Sequence, residues 1–226
     1  PESLKGVVLT HAHEDHLGAL PFLLKRLGVP VWGTPFTLGL LRHKLDEAGI
    51  RADLRPISPR EPFRVGGAFV VEAVRVSHSV PDAVALIIKS PSGTVVHTGD
   101  FKLDGAPIDG RPTDLERLGE AGDEGVGLLL SDSTNSEVAG SSGSEQLVAE
   151  TFVRLFAQAK GRVVLTLFAS HLHRIQHALS LAARTGRKVA IAGRALERNL
   201  AIARSLGFVT VPDDLIVPQE ALPLIP

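Results

Sequence analysis

Three imidazoles and two carboxylates stand within six consecutive residues, His11-Ala12-His13-Glu14-Asp15-His16, directly behind the β-branched run Val7-Val8-Leu9-Thr10. Packing alone does not explain that density. The run reads as a buried strand, and apolar residues at helical spacing over 17–27 follow the cluster, which therefore occupies a strand-to-helix loop. On an extended segment His11 and His13 point to one side, while Asp15 and His16 turn into the helix and face a second point nearby. Such a loop offers ligands to a pair of metal ions. The chain has no cysteine, so any transition-metal site must be built from histidine and carboxylate, and neither a disulfide framework nor a thiol nucleophile is available.

The rest of the chain alternates short β-rich runs with helical patterns, the mark of an α/β layered architecture. A strand is predicted at Val31-Trp32-Gly33. A helix follows, bracketed by Thr34 as N-cap, Pro35 in its first turn and Gly49 just past its end. Runs over 54–57, 68–76, 84–89 and 94–97 form a strand-rich layer. A short helix over 114–120 and an apolar strand over 126–130 complete the first region. After a small, polar stretch over 136–144, Ser142 and Glu145 have the spacing of a capping box for a helix reaching about residue 159. From there the pattern is strand (162–167), helix from Ser170 to Gly186, strand (188–192) and a helix closed by Gly207. This reads as a Rossmann-like unit, with a domain boundary near 143: one domain over 1–143 and a second over 144–226.

A metal pair needs further ligands, and two stand at strand ends: His78 after the run over 70–76, and Asp100 after Val95-Val96-His97-Thr98-Gly99. A carboxylate placed there can bridge two cations through its two oxygens. His97 lies within an apolar run and reads as a core residue or a residue supporting a ligand. His43, His173 and His177 read as solvent or packing residues.

Spacing and motif together resemble the metallo-β-lactamase superfamily: Thr10 to His16, then His78 62 residues after His16, then Asp100 22 residues further on. His78-Ser79-Val80-Pro81-Asp82, His97-Thr98-Gly99-Asp100-Phe101-Lys102 and Leu130-Ser131-Asp132-Ser133-Thr134-Asn135 narrow the resemblance to the ribonuclease J family of its β-CASP branch. Phe168-Ala169-Ser170 with Arg174-Ile175-Gln176, and Gly186-Arg187-Lys188-Val189-Ala190 with Gly193-Arg194, extend it nearly end to end. Ala12 and Ser141-Ser142-Gly143 depart from the family's usual residues without touching a ligand. The resemblance implies a metallo-β-lactamase αββα sandwich, incomplete at its N-terminal part, followed by the beginning of an inserted β-CASP domain. It implies a pair of zinc ions, with manganese or magnesium able to support activity. His11, His13 and His78 would hold one ion, Asp15 and His16 the other, and Asp100 would bridge them, with Asp132 bordering the site. Asp15, Asp100 and Asp132 would thus be the catalytic carboxylates. The family's N-terminal strands, later histidine motifs and C-terminal domain have no counterpart here. Together with Pro1-Glu2-Ser3 at one end and Ala221-Leu222-Pro223-Leu224-Ile225-Pro226 at the other, this leads to the expectation that the chain is a piece of a longer protein.

The implied reaction is hydrolysis of RNA phosphodiesters, 5′-to-3′ from single-stranded RNA with a 5′-monophosphate and also internally, by a cytoplasmic homo-dimer or tetramer. Formal net charge is -1 over 226 residues, so RNA must be held by a local set of groups and not by the overall field. Ser170, His171 and Arg174 at a helix start, and Arg194 after Gly193, are the candidate RNA contacts. No apolar run approaches the roughly 18 residues that a membrane-spanning helix needs. Two other readings use the same residues: a small-molecule thioesterase or lactonase, which has no need of a second Rossmann-like domain, and a non-catalytic RNA-binding scaffold, which has no need of this ligand set.

Overall fold

The computed structural model describes residues 3–224; Pro1, Glu2, Ile225 and Pro226, the outermost residues of the two terminal stretches, lie outside the described residues. The chain divides into two compact units. Pro1–Asp104 and Pro112–Ser142 form the first, and Gly105–Arg111 and Gly143–Pro226 the second.

The first unit holds two sheets. Strands β1 (Val7–Val8), β2 (Val31–Gly33) and β3 (Leu54–Pro56) pair in parallel in the order β1-β2-β3. The second sheet runs β4 (Phe63–Val65), β5 (Phe69–Arg75), β6 (Val84–Ser90), β7 (Gly93–His97) and β8 (Leu128–Leu130), antiparallel except for the parallel β7–β8 pair. Strand period 2 sorts the side chains of β5 and β6 between two cores. Val71, Ala73, Val84 and Leu86 face Trp32 and Ile57 and so join the two sheets. Val74, Ala85 and Ile87 face the other way, onto Ala121 and Leu118 of helix α4 (Leu115–Glu124). Helix α3 (Pro35–Glu47) lies against β2 and β3 on the outer side of the first sheet. The layers are therefore helix, sheet, sheet, helix, the αββα arrangement expected. The hairpin strand β4 was not anticipated; Gly66-Gly67, with Gly66 at φ +61°, is the turn signal that marks it.

The helix predicted over 17–27 is two short pieces, α1 (Glu14–Leu17) and α2 (Leu20–Leu24). Pro21 explains the break, because it has no N–H for the Leu17 carbonyl and its ring crowds that group. Asp114 caps α4 by accepting the Arg117 N–H at 3.2 Å, and it takes the Arg60 guanidinium in a fork at 2.7 and 2.8 Å. The Arg60 bond, with the capping bond, holds the Asp114 carboxyl below its usual range despite partial burial. A depressed carboxyl stabilises the fold above the unfolded value near 4 and loses that contribution as pH falls through the folded value. Asp114→Asn is therefore expected to lower stability at neutral pH and to flatten its decline below about pH 4, as read by urea midpoints across pH; an unchanged acid limb would contradict this.

The second unit holds α5 (Glu145–Gln158), α6 (Leu172–Arg184) and α7 (Arg194–Ser205), which bury Phe156, Ile175, Leu179, Leu200 and Ala203, and a 3-10 turn, η1, spans Gln219–Leu224. Three expectations are corrected here. The cap of α5 is Ser144, whose Oγ accepts the Gln146 N–H at 3.1 Å, and not Ser142. At α6 the N-cap position falls on His171, and Ser170 contributes only its carbonyl, to the Leu172 N–H. Finally, 162–167 forms no ladder, and the run over 188–192 is reduced to a parallel bridge between Val189 and Ile216. A strand exists only through its neighbour's hydrogen bonds, and among the described residues no strand flanks 162–167, whose Val164 stays exposed. Strict strand-helix alternation is thus not observed in this unit. Among the described residues no helix is long and apolar enough to cross a membrane.

Candidate metal centre

The end of β1 is a seam between the two sheets. The Leu9 N–H donates to the Trp32 carbonyl at 2.8 Å in the first sheet, and one residue later the Thr10 carbonyl accepts the Val84 N–H at 2.9 Å from the second. His11 emerges from this seam fully buried. Its Nδ1 sits 3.1 Å from the Thr10 hydroxyl, which leaves Nε2 to face the site. His13 occupies the N-cap position of α1, and Asp15 and His16 lie in its single turn.

Three ring nitrogens converge on one point. His13 Nδ1 is 3.2 Å from His11 Nε2 and 3.0 Å from His78 Nε2, while His13 Nε2 is tied to the Ser79 hydroxyl at 3.2 Å. One ring proton cannot serve all three nitrogens. A shared cation can, and tetrahedral zinc with nitrogen ligands near 2.1 Å places them about 3.4 Å apart. Asp100 completes the set: the ligand atoms of His11, His13, His78 and Asp100 all lie within 4.8 Å of one another. The donor set therefore fits a metal ion.

Asp100 divides its two oxygens. Oδ2 lies 3.6 Å from His11 Nε2 and 3.9 Å from His78 Nε2, whereas Oδ1 lies 3.4 Å from His16 Nε2. His16 Nε2 is in turn 3.6 Å from an oxygen of the exposed Asp15. Burial keeps the His11 and His13 rings neutral, as ligation requires. Burial pushes the His11 imidazole down to about 2, reinforced by the neighbouring His16, His78 and His13 rings. Burial also lowers His13, outweighing the opposing pull of Asp15 and Asp100.

Asp100 is carried on a turn held by its neighbours. The Gly99 N–H donates to His97 Nδ1 at 2.9 Å, so His97 supports a ligand position. Asp132 follows β8 and stands beside this turn. Its N–H donates to the Thr98 hydroxyl at 2.9 Å, and its carboxylate accepts the Thr134 N–H at 2.8 Å and, at 3.5 Å, the Phe101 N–H. Burial raises the Asp132 carboxyl, but the Thr134 and Phe101 hydrogen bonds and nearby His78 bring it below its usual range. Thr10, Ser79 and Thr98 were not singled out from sequence; the strand-end threonines and the His78-Ser79 pair were the available signals.

In the second unit Ser170, His171 and Arg174 gather at the start of α6, but Glu145 occupies Arg174 through a fork of two 2.8 Å bonds. His171 is buried with Nε2 3.7 Å from Glu145, and burial, with the charge of Arg174, pushes it down to about 4. Arg194 opens α7 and is exposed. His177 is a packing residue whose Nε2–H donates to the Ala149 carbonyl at 3.1 Å.

Residues 1–116 match the β-lactamase superfamily domain, and residues 160–226 match the β-CASP domain of ribonuclease J. Ribonuclease J of a Synechocystis species is 47% identical over 228 residues, covering 100% of the chain and 36% of the relative. Ribonuclease J of Helicobacter pylori is 45% identical over 214 residues, covering 93% and 31%. The chain thus spans about a third of the length of these relatives. A crystal structure of a protein of unknown function from Enterococcus faecalis superposes with a TM-score of 0.69 at 18% identity, over 97% of this chain and 56% of that one, a likeness of fold.

Proposed function

Since the chain belongs to the β-lactamase superfamily and is homologous to ribonuclease J over nearly its whole length, we propose that it provides the metal-binding part of a cytoplasmic ribonuclease that hydrolyses RNA phosphodiesters, 5′-to-3′ and internally, in RNA maturation and decay. The observation that carries this reading is the division of Asp100 between His11 and His78 on one oxygen and His16 on the other. His11, His13 and His78 would hold one zinc ion and Asp15 and His16 a second, with Asp100 shared between the two. When bound, such a pair supplies a water nucleophile active near neutral pH and positive charge opposite the reacting phosphate.

The chain's own residues set the geometry. Thr10 and Ser79 fix which nitrogen of His11 and of His13 faces the site, and His97 and Thr98 hold the turns that present Asp100 and Asp132. Water adds to phosphorus, the bond to the 3′ oxygen breaks, and the phosphate stays on the 5′ end of the downstream product, with Asp132 bordering the reacting group. Ser170, His171, Arg174 and Arg194 are the RNA contacts of the second unit, where Arg174 exchanges Glu145 for phosphate. The working assembly is a homo-dimer or tetramer.

The test is a 5′-labelled RNA bearing either a monophosphate or a triphosphate, given to the protein with zinc or manganese. Labelled mononucleotide released from the monophosphate RNA is the expected result; hydrolysis of a thioester or lactone with both RNAs left intact would overturn the reading. Removing the metal with a chelator is expected to abolish cleavage and adding zinc or manganese to restore it, whereas chelator-resistant cleavage would contradict the assignment.

A further inference from the structure

The segment 76–83 joins β5 to β6 without regular structure, yet it must present His78 to His11 and His13 with little freedom. Its first half is tied down at Ser77, whose N–H donates to Thr113 Oγ1 at 2.9 Å and whose carbonyl accepts the Lys102 N–H at 2.8 Å. Its second half ends on Asp82. There Oδ1 accepts the Thr34 hydroxyl and Oδ2 the Phe36 N–H, each at 2.8 Å.

These two partners are the buried start of α3. Thr34 holds the N-cap position, but its hydroxyl makes no capping bond within its own helix, and Pro35 has no N–H to offer. The Phe36 N–H is therefore the first donor that needs an acceptor, and Asp82 supplies it from 46 residues away. Asp82 also adopts φ +50°, a left-handed conformation that Asp and Asn tolerate better than other non-glycine residues. The conformation, the two bonds and the burial of Val80 and Ala83 all act on the loop that carries His78.

We propose that Asp82 is a positioning residue that docks the His78 loop onto the N-terminus of α3 and so sets the metal-binding position of His78. This rests on the reading of His78 as a metal ligand. Burial pushes the Asp82 carboxyl up to about 6 against the bonds from Phe36 and Thr34, so the pocket accepts a neutral side chain of the same shape. Asparagine meets that requirement. Its carbonyl accepts the Phe36 N–H and its amide donates to Thr34 Oγ1, whose own hydrogen turns to Thr37 Oγ1 at 3.0 Å.

The experiment measures zinc affinity of the protein by competition with a chromophoric chelator, for wild type, Asp82→Ala, Asp82→Asn, Thr34→Val and His78→Ala. Asp82→Ala is expected to weaken zinc binding about 10- to 100-fold, Thr34→Val to weaken it less, and Asp82→Asn to remain within about twofold of wild type. Arg60→Ala, which breaks the α4 cap pair, controls for general destabilisation and is expected to leave zinc affinity unchanged. Wild-type affinity in Asp82→Ala, or an equal loss in Asp82→Asn, would overturn the proposal; should Asp82→Ala fail to fold, wild-type affinity in Thr34→Val would do so. If His78→Ala binds zinc as tightly as wild type, the metal reading itself fails. A loss in His78→Ala without one in Asp82→Ala defeats only the role given to Asp82.

Discussion

The Asp100→Ala protein is expected to keep its fold and to lose RNA cleavage by about a thousandfold or more, equivalent to at least about 4 kcal/mol of transition-state stabilisation. The side chain is about one-third exposed, so its removal opens no core cavity. What it removes is the carboxylate that faces His11 and His78 with one oxygen and His16 with the other. Without it these imidazoles lose their common partner, and the proposed pair of ions would lose a shared ligand. Circular dichroism checks the fold and labelled RNA the activity. Undiminished hydrolysis by a folded Asp100→Ala protein would sink the bridging role.

Gly99→Ala is expected to damage stability and metal binding together. Gly99 has φ +58°, and a Cβ there would lie 2.9 Å from the Val84 carbonyl oxygen and 3.0 Å from Thr10 Cβ. Neither is the loose end of a flexible side chain. Thr10 is bonded through its backbone to Val84 and through its hydroxyl to His11, so relief of the clash must move the seam between the sheets, the orientation of His11, or the turn bearing Asp100. A loss of about 2–4 kcal/mol combines the left-handed backbone cost with overpacking. Urea unfolding and zinc titration check it, and wild-type values in both would contradict the packing described.

Much of the candidate metal centre is legible in the sequence because its residues follow strands that read clearly. Val7-Val8-Leu9-Thr10 announces β1, and the two later ligand positions stand just beyond β5 and β7. Support for those ligands is harder to read, since it depends on residues far apart in the chain. Nothing local pairs Thr34 with Asp82, 48 positions away, or Arg174 with Glu145, 29 away. Ser170 has the residue type of an N-cap, but the backbone starts the helix one residue later. The apolar run over 162–167 has a strand's composition, while strand formation is decided by a neighbour that composition cannot supply. Pro21, in contrast, was a visible break that the helical spacing of its neighbours masked.

The most direct measurement is the metal content of the purified protein by elemental analysis, set beside that of Asp100→Ala. About two zinc ions per chain are expected in the wild type, with at least one of them lost in the variant. A wild-type protein that binds a single ion, or none, after exposure to excess zinc would contradict it.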